Sequence, residues 1–380
     1  MAITLNRRSL FRNSALLAAF ALVFAQLPQP AAGQDASRLI VRPEVQPDHK
    51  IKFRVNAPKA SAVQLLWAQK PQPMAKGEDG VWVVTVGPVE PEIYNYSFLE
   101  DGVRVGASTV EVPGNPPRFD ELQNVPHGSI NIHTYFSTAQ NRQRGLYVYV
   151  PPQYYSEIGR KFPVLYLWHG GQTDNESVWT SGGRANVILD NLIAQKKAVP
   201  MIVVMPNVNA EILHESGDHT SLGSSAVLEK ELLADIIPFM EKDYRTLNDR
   251  NNRAMAGLSW GGGTTFNVGL RRLDLFGYLG EFSAGVFGGP EPAPGSGVYG
   301  PYQPEKNVPG IYEKLVSPTQ KPKLFYMSVG TEDPRMPFQK EGLDDFHKHG
   351  IEPVFRTFPG GHEWKVWRHS LADFAPMLFK

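Results

Sequence analysis

A serine flanked by glycines is the first candidate for chemistry in this chain, in the sequence Gly257-Leu258-Ser259-Trp260-Gly261. A sharp turn from a strand into a helix can hold such a serine in strained backbone geometry with its hydroxyl exposed. The flanking positions then lie against neighbouring backbone, where a Cβ atom would clash, so glycine is required there. Because short glycine patterns recur by chance, the motif needs support from its context.

A serine nucleophile needs a general base and an acid, since a serine at its ordinary pKa attacks poorly. In the chain order serine, acid, histidine, Asp333 follows a predicted strand that ends at Val329, and His362 follows a predicted strand that ends at Phe358. Glu332 is the rival for the acid, but its side chain would point the other way on an extended strand exit. We therefore predict a catalytic triad with His362 as base and Asp333 as acid.

A glycine-rich turn, His169-Gly170-Gly171, follows another predicted strand at Phe162–Trp168. Backbone N–H groups of such a turn stabilise the negative charge that develops on a carbonyl oxygen. We predict that the N–H groups of Gly171 and Trp260 form an oxyanion hole. A packed histidine and an ordinary turn would explain these residues separately, but their position at the required strand ends favours the catalytic interpretation.

A metal site is the rival hypothesis, at the segment His214-Glu215-Ser216-Gly217-Asp218-His219. Its side chains are of types that bind zinc. However, Gly217 interrupts any helix, so the two histidines cannot share one face, and the spacing fits no metalloprotease helix. A solvated loop beside the cleft is favoured, and we predict neither a metal nor a cofactor.

The elements that would position these residues begin near Ser129, where apolar strands start to alternate with helices, as in α/β folds. The runs Phe162–Trp168 and Met201–Met205 are continuously apolar, as strands buried on both faces require. Further strands are predicted at Gly145–Val150, Arg253–Ala256, Tyr278–Phe282, Leu324–Val329 and Pro353–Phe358. Helices are predicted at 184–195, 225–244, 262–271, 338–349 and 364–379. Residues 129–380 should therefore form a doubly wound, mostly parallel sheet.

Residues 34–128 have a different periodicity. Polar and apolar side chains alternate in short runs, which is typical of half-buried strands, at Ile51–Val55, Ala62–Trp67, Val81–Val86 and Tyr94–Phe98. Asp79-Gly80 and Asp101-Gly102 lie between such runs and favour hairpins. We predict an antiparallel β-sandwich without helices. Its large rings are assigned to core packing rather than to sugar binding: Trp67, Trp82 and Tyr94.

Residues 1–33 are predicted to be a signal peptide. Asn6–Arg12 is basic, Ser14–Ala25 is apolar but too short to span a bilayer, and Ala31-Ala32-Gly33 places small residues before a cleavage at Gln34. The paired arginines fit the twin-arginine route as well as an ordinary secretory route. We expect a secreted or periplasmic protein that has no membrane attachment after cleavage.

Composition excludes several functions. The chain of 380 residues has 38 Lys plus Arg and 38 Asp plus Glu, so it lacks the basic excess with which proteins neutralise phosphates, and nucleic acid is not an expected partner. It contains no cysteine, which excludes disulfides, cysteine nucleophiles and thiolate metal sites.

Motifs in both parts carry a family resemblance. In the second part they are Tyr147–Pro152, Leu165–Gly170, Gly183–Asn191, Met201–Pro206, Arg253–Ser259 and Gly360–Trp364. Together these resemble the esterase D-like α/β-hydrolases, and most closely the family 1 carbohydrate esterases, which include feruloyl and acetylxylan esterases. Trp260 departs from the pattern, since relatives commonly have methionine there. In the first part, Phe53–Pro58, Val63–Leu65 and Tyr94–Gly102 resemble carbohydrate-binding modules of family 48, so the sandwich is expected to be immunoglobulin-like.

The resemblance implies a serine esterase that removes feruloyl or acetyl groups from xylan, with an acylated polysaccharide or oligosaccharide as its partner. A siderophore trilactone esterase is the alternative among enzymes, because that family also couples a sandwich domain to a similar hydrolase. A non-catalytic carbohydrate-binding scaffold is the alternative of another class. A scaffold has no need of a nucleophile, a base, an acid and an oxyanion turn together.

Overall fold

The computed structural model describes residues 39–67, 70–171, 174–211, 221–284 and 303–380. The predicted signal peptide and the His214–His219 segment lie outside these residues. These described residues divide into two compact units, of which the first comprises those from Leu39 to Val89 with Tyr94–Val110, and the second those of Glu90–Ile93 with Glu111–Lys380. In the part of the chain that is described, no helix is both long and apolar enough to cross a bilayer.

The first unit is built from antiparallel strands. They are β1 (Leu39–Val45), β2 (Ile51–Asn56), β3 (Val63–Trp67), β4 (Lys70–Pro73), β5 (Ala75–Lys76), β6 (Val81–Val86), β7 (Ile93–Glu100) and β8 (Val103–Glu111). One sheet has the order β1-β2-β6-β5 and the other the order β4-β3-β7-β8. Asp79-Gly80 connects β5 to β6 and Asp101-Gly102 connects β7 to β8, where Asp101 and both glycines have positive φ. Both hairpins follow the prediction.

Aromatic rings from the two sheets form the core of the first unit. Phe53 of β2 lies 5.7 Å from Trp67 and 5.0 Å from Tyr96, measured between ring centroids. Trp82 is buried, and its indole N–H donates to the carbonyl oxygen of Ala57 at 2.9 Å. Trp67 and Trp82 thus pack in the core, as predicted. The region is β-rich, whereas its immunoglobulin-like character and its likeness to family 48 modules stay predictions.

The second unit contains an eight-stranded mixed sheet. Its strands are β9 (Ser129–Ser137), β10 (Arg142–Val150), β11 (Val164–Trp168), β12 (Ile202–Pro206), β13 (Arg253–Leu258), β14 (Tyr278–Phe282), β15 (Leu324–Gly330) and β16 (Val354–Phe358). The order across the sheet is β9-β10-β12-β11-β13-β14-β15-β16. β10 pairs antiparallel with β9 and β12, and the remaining neighbours pair parallel.

Helices cover both faces of this sheet. They are α1 (Gln153–Ser156), α2 (Val178–Ser181), α3 (Ala185–Ala194), α4 (Ser221–Glu231), α5 (Ile237–Asp243), α6 (Trp260–Thr264), α7 (Pro304–Asn307), α8 (Ile311–Val316), α9 (Met336–Lys348) and α10 (Trp364–Phe374). A π-helical turn at Leu232–Ile236 joins α4 to α5, and another at Thr265–Gly269 extends α6. The helix predicted at 225–244 is therefore interrupted rather than regular.

Two apolar cores separate the sheet from these helices. On one face Tyr166 packs in a cluster with α4, α5 and α9, and on the other Leu165 packs in a cluster with α3 and α10. Successive residues of one strand thus enter opposite cores, which explains why the central strands are apolar throughout. The predicted α/β-hydrolase arrangement, with a mostly parallel and doubly wound sheet, is confirmed.

The segment 111–128 belongs to the second unit, although we predicted a boundary between residues 128 and 129. Arg368 Nε of α10 lies 2.8 Å from the Asp120 carboxylate, and both side chains are buried. Asn191 of α3 donates to the carbonyl oxygens of Phe119 and Glu121 at 2.9 and 2.8 Å. Because buried polar groups of two helices find their partners in this segment, the compact unit begins before the predicted boundary.

Candidate active site

Ser259 occupies the turn between β13 and α6. Its φ is +50° and its ψ is −116°, a conformation that costs energy for any residue except glycine. Its N–H donates to the Phe282 carbonyl oxygen of β14 at 2.8 Å, which ties the turn to the next strand. A Cβ atom on Gly257 would lie 2.5 Å from the Gly261 backbone, and one on Gly261 would lie 2.3 Å from the His169 carbonyl oxygen. Both glycines are thus sterically required, as the motif predicted.

His362 connects the serine to an acid. Its Nε2 lies 2.9 Å from Ser259 Oγ, and its Nδ1 lies 2.9 Å from Asp333 Oδ2. An ionised carboxylate only accepts hydrogen bonds, so Nδ1 carries the proton and Nε2 is left to accept one from the hydroxyl. The parallel strands β13, β15 and β16 end at one edge of the sheet, and this edge brings together three residues that are far apart in the chain.

Asp333 is buried and Glu332 is exposed. Burial raises the pKa of Asp333, but hydrogen bonds from the His362 ring and from the Arg335 N–H outweigh it, so the pKa lies below its ordinary value. The Arg335 N–H donates to Asp333 Oδ1 at 2.9 Å. The carboxylate therefore stays ionised at neutral pH. The Glu332 backbone N–H donates to the Gly360 carbonyl oxygen at 2.9 Å.

The glycine turn after β11 lies beside the serine. A Cβ atom on Gly170 would be 2.8 Å from Ser259 Cβ, and Gly171 has a φ of +68°, which favours glycine. His169 Nδ1 lies 2.9 Å from the Gly170 carbonyl oxygen, and its Nε2 accepts the Val208 N–H at 3.1 Å. In a trans peptide C=O and N–H point in opposite directions, so this bond turns the Gly171 N–H away from the His169 ring.

His169 is a neutral positioning residue in this arrangement. Burial lowers its pKa, and its two ring nitrogens have different roles, since one donates and the other accepts. The sequence indicated a histidine at a strand end but not its partner, because Val208 follows a different strand. The other predicted oxyanion donor, the N–H of Trp260, opens α6 and has no acceptor within its own helix.

Two tryptophans of α10 pack in series next to His362. Trp367 meets the His362 ring edge to face at 4.9 Å, and Trp364 meets Trp367 in the same way at 5.2 Å. The backbone of Gly182 and Gly183 packs closely against the Trp364 ring, since a Cβ atom on either glycine would come within 2.8 Å of that ring. Sequence analysis missed these contacts. The spacing of three residues between the tryptophans on α10 was the available signal.

Within the described ranges, no three histidine, aspartate or glutamate side chains converge as a metal site would require. The rival metal hypothesis rested on His214–His219, which lies outside those ranges, so the structure does not address it. The described residues that converge at the end of the sheet are instead Ser259, His362 and Asp333.

Residues 137–378 match the family described as "Putative esterase". The chain belongs to this esterase family. A relative from Xylanibacter ruminicola, named endo-1,4-beta-xylanase/feruloyl esterase, is 31% identical over 364 residues, which cover 89% of this chain and 46% of the relative. The chain covers 46%, 23% and 57% of the length of the first three curated relatives that it matches.

Solved structures resemble the esterase in fold. A CE1 ferulic acid esterase from Anaeromyces mucronatus, in complex with ferulic acid, has a TM-score of 0.55 at 24% identity, covering 68% of this chain and 93% of that one. The enterobactin esterase from Shigella flexneri has a TM-score of 0.61 at 14% identity, covering 86% of this chain and 92% of that one. These neighbours share the α/β-hydrolase fold of the second unit.

Proposed function

We propose that this esterase is a carboxylic ester hydrolase that uses Ser259 as its nucleophile. The observation that carries the proposal is the hydrogen-bonded series Ser259, His362 and Asp333 at the end of the sheet, with 2.9 Å at each step. The bond from Asp333 to Nδ1 leaves Nε2 to accept the serine proton, and the strained turn keeps the hydroxyl at the surface of the strand end.

The reaction has two halves. The hydroxyl oxygen of Ser259 attacks the ester carbonyl while His362 takes its proton, and His362 then gives this proton to the leaving alcohol as the acyl-enzyme forms. Water attacks the acyl-enzyme in the second half, again with His362 as base, and releases the acid. The N–H groups of Trp260 and Gly171 hold the oxyanion, and the His169 bond to the Gly170 carbonyl oxygen fixes the orientation of the Gly171 N–H.

We further propose that the substrate is a feruloyl or acetyl ester of xylan, cleaved outside the cytoplasm after removal of residues 1–33. Support comes from the Xylanibacter ruminicola relative, whose name joins a xylanase with a feruloyl esterase. Trp364, which is partly buried and packs against the Trp367 ring beside His362, offers apolar surface near the reacting groups. A siderophore trilactone is the second candidate, because the enterobactin esterase covers 86% of this chain.

One hydrolysis panel tests this function: methyl ferulate, acetylated xylan, p-nitrophenyl acetate and a catecholate trilactone, each with wild type, Ser259→Ala and wild type plus chelator. We expect turnover of methyl ferulate or acetylated xylan that Ser259→Ala abolishes and the chelator leaves unchanged. Preferential turnover of the trilactone would favour the second candidate. Activity that survives Ser259→Ala and disappears with the chelator would contradict the serine mechanism.

A further inference from the structure

Glu281 of β14 is a buried carboxyl group that the proposed mechanism does not use. Its side chain has no solvent exposure. A Cβ atom on Gly262 of α6 would lie 3.3 Å from Glu281 Cγ, so the Glu281 side chain extends beneath α6, the helix that follows Ser259. In the sheet Glu281 pairs with Gly257, two residues before the serine. A carboxyl group in such a place requires an explanation, since burial of this group without partners is costly.

The carboxyl group holds the turn that follows β14. Its Oε1 accepts the N–H of Ala284, and Gln339 of α9 donates to the Ala284 carbonyl oxygen at 2.6 Å. Between them Ser283 has a φ of +55°, a strained conformation for a serine. The same turn begins at Phe282, whose carbonyl oxygen accepts the Ser259 N–H at 2.8 Å. Glu281 is therefore linked to the nucleophile through one short stretch of backbone.

The surroundings favour the protonated form of this carboxyl group. Burial raises the pKa of Glu281 to about 8, and the charge of Asp333 acts in the same direction. Hydrogen bonds from Ala284 and Gln339 and the charge of Arg335 lower this pKa, but they do not cancel the effect of burial. Glu281 Oε2 and Gln339 Oε1 are buried acceptors with no hydrogen-bond partner among the described residues. A proton on Oε2 turns this atom into a donor, so protonation removes one unsatisfied acceptor.

Among the described residues, the charged groups that act on Glu281 come from one loop. Asp333 and Arg335 lie between β15 and α9, and Asp333 also bonds to His362. The residues that contact Glu281 from α6 and α9, Gly262 and Gln339, are neutral. Ionisation of Glu281 would therefore add a second buried negative charge next to the proposed catalytic carboxylate, where low polarity makes like-charge repulsion strong.

We propose that Glu281 is a positioning residue that acts as a neutral carboxylic acid, holding the turn that binds the Ser259 N–H and keeping a second charge away from Asp333. The inference rests on the proposed esterase mechanism. Its consequence is a loss of turnover at alkaline pH, because the charge of ionised Glu281 repels Asp333, which bonds to His362. A serine hydrolase without such a group keeps its activity once its histidine is neutral.

The test compares the pH dependence of kcat for wild type, Glu281→Gln and Glu341→Gln. Glutamine has the shape of the neutral acid but cannot ionise, and Glu341 is an exposed glutamate on α9 that serves as the matched control. We expect the kcat of wild type and Glu341→Gln to fall with an apparent pKa near 8. Glu281→Gln should stay within about threefold of wild type at neutral pH and show no such fall up to about pH 9.5.

Wild type alone can overturn the proposal, even if the variant does not fold, because a flat kcat between about pH 7 and about pH 9.5 excludes an inhibitory ionisation. An alkaline fall that persists in Glu281→Gln, or a neutral rate lowered by more than about threefold, also overturns it. Failure of the proposed function has a different signature, namely no Ser259-dependent turnover of any ester in wild type.

Thermal unfolding supplies a readout that is independent of activity. The unfolded chain loses the Glu281 proton near the ordinary value of 4.5, whereas the folded chain keeps it up to about 8. The stability that this group contributes is therefore fully present below the unfolded-state pKa of 4.5 and is lost as the pH rises to the folded-state pKa of about 8. The Tm of wild type should fall relative to that of Glu281→Gln over this window. Parallel Tm curves would contradict the neutral acid.

Discussion

The two compact units place polar side chains differently. In the first unit the antiparallel strands bury rings such as Phe53 and Tyr96, and hairpin residues such as Asp101 stay exposed. In the second unit Asp333 and Glu281 are buried at or near the ends of parallel strands. Parallel strands that share a direction bring their carboxyl ends, and the loops that follow them, to one edge. Hairpin strands alternate in direction and collect no such edge, so chemistry is expected only in the second unit.

The largest expected effect tests that contrast directly. Ser259→Ala removes the attacking oxygen and should lower kcat by roughly 10⁴-fold or more, leaving only binding and oxyanion stabilisation. His362→Ala should be about as severe. The double variant should add little, since residues that act as a unit are not additive. The measurement is kcat on a soluble ester, with Ser61→Ala, an exposed serine of the first unit, as the control.

The next effect separates two adjacent acids. Asp333→Asn should keep the fold but offer His362 the wrong hydrogen-bond partner, which destabilises the tautomer that accepts the serine proton and lowers kcat by roughly 10²- to 10⁴-fold. Glu332→Gln is the matched control and should remain close to wild type, because that side chain is exposed. The opposite order of these two variants would show that the acid is assigned wrongly.

A third prediction compares buried and exposed carboxylates in stability. Asp120 lies 2.9 Å from Arg118 Nε and 2.8 Å from Arg368 Nε inside the second unit, so Asp120→Ala should lower the free energy of unfolding by about 3–5 kcal/mol. Asp101 of the first unit is exposed and accepts the N–H groups of Ser61 and Ala62, so Asp101→Ala should cost about 1 kcal/mol.

Urea unfolding of both variants measures the difference. A cost at Asp120 no larger than that at Asp101 would mean that the segment 111–128 contributes little to the second unit. The boundary predicted from the sequence, between residues 128 and 129, would then be the better one.

The smallest effects concern a buried tryptophan in each unit. Trp367→Phe keeps a ring against His362 and should lower kcat by about two- to fivefold through looser packing of the imidazole. Trp82→Phe loses the hydrogen bond to the Ala57 carbonyl oxygen, which should cost about 1 kcal/mol of stability and leave kcat unchanged. Both quantities should be measured for both variants. A larger loss of kcat for Trp82→Phe would break the contrast between the units.

Strand and turn positions were largely predictable because they depend on local patterns. The strands Val81–Val86 and Tyr278–Phe282 coincide with the predicted ranges, since alternation and continuous apolar runs report directly on burial. The π-helical turn at Leu232–Ile236 was not predictable, because hydrophobic spacing does not distinguish it from a regular helix. The segment 111–128 lacks periodicity, and its role depends on partners in α3 and α10.

The sequence by itself determined the candidates: a serine between required glycines, an acid and a histidine after later strands, and a glycine turn after an earlier one. These are local features, and each can be deduced from steric and periodic rules. The tertiary structure decided which candidates meet, since only the packed sheet brings His362 within 2.9 Å of both Ser259 and Asp333. It also raises the pKa of Glu281, because burial and the nearby charge of Asp333, which the chain order does not reveal, disfavour the ionised carboxylate.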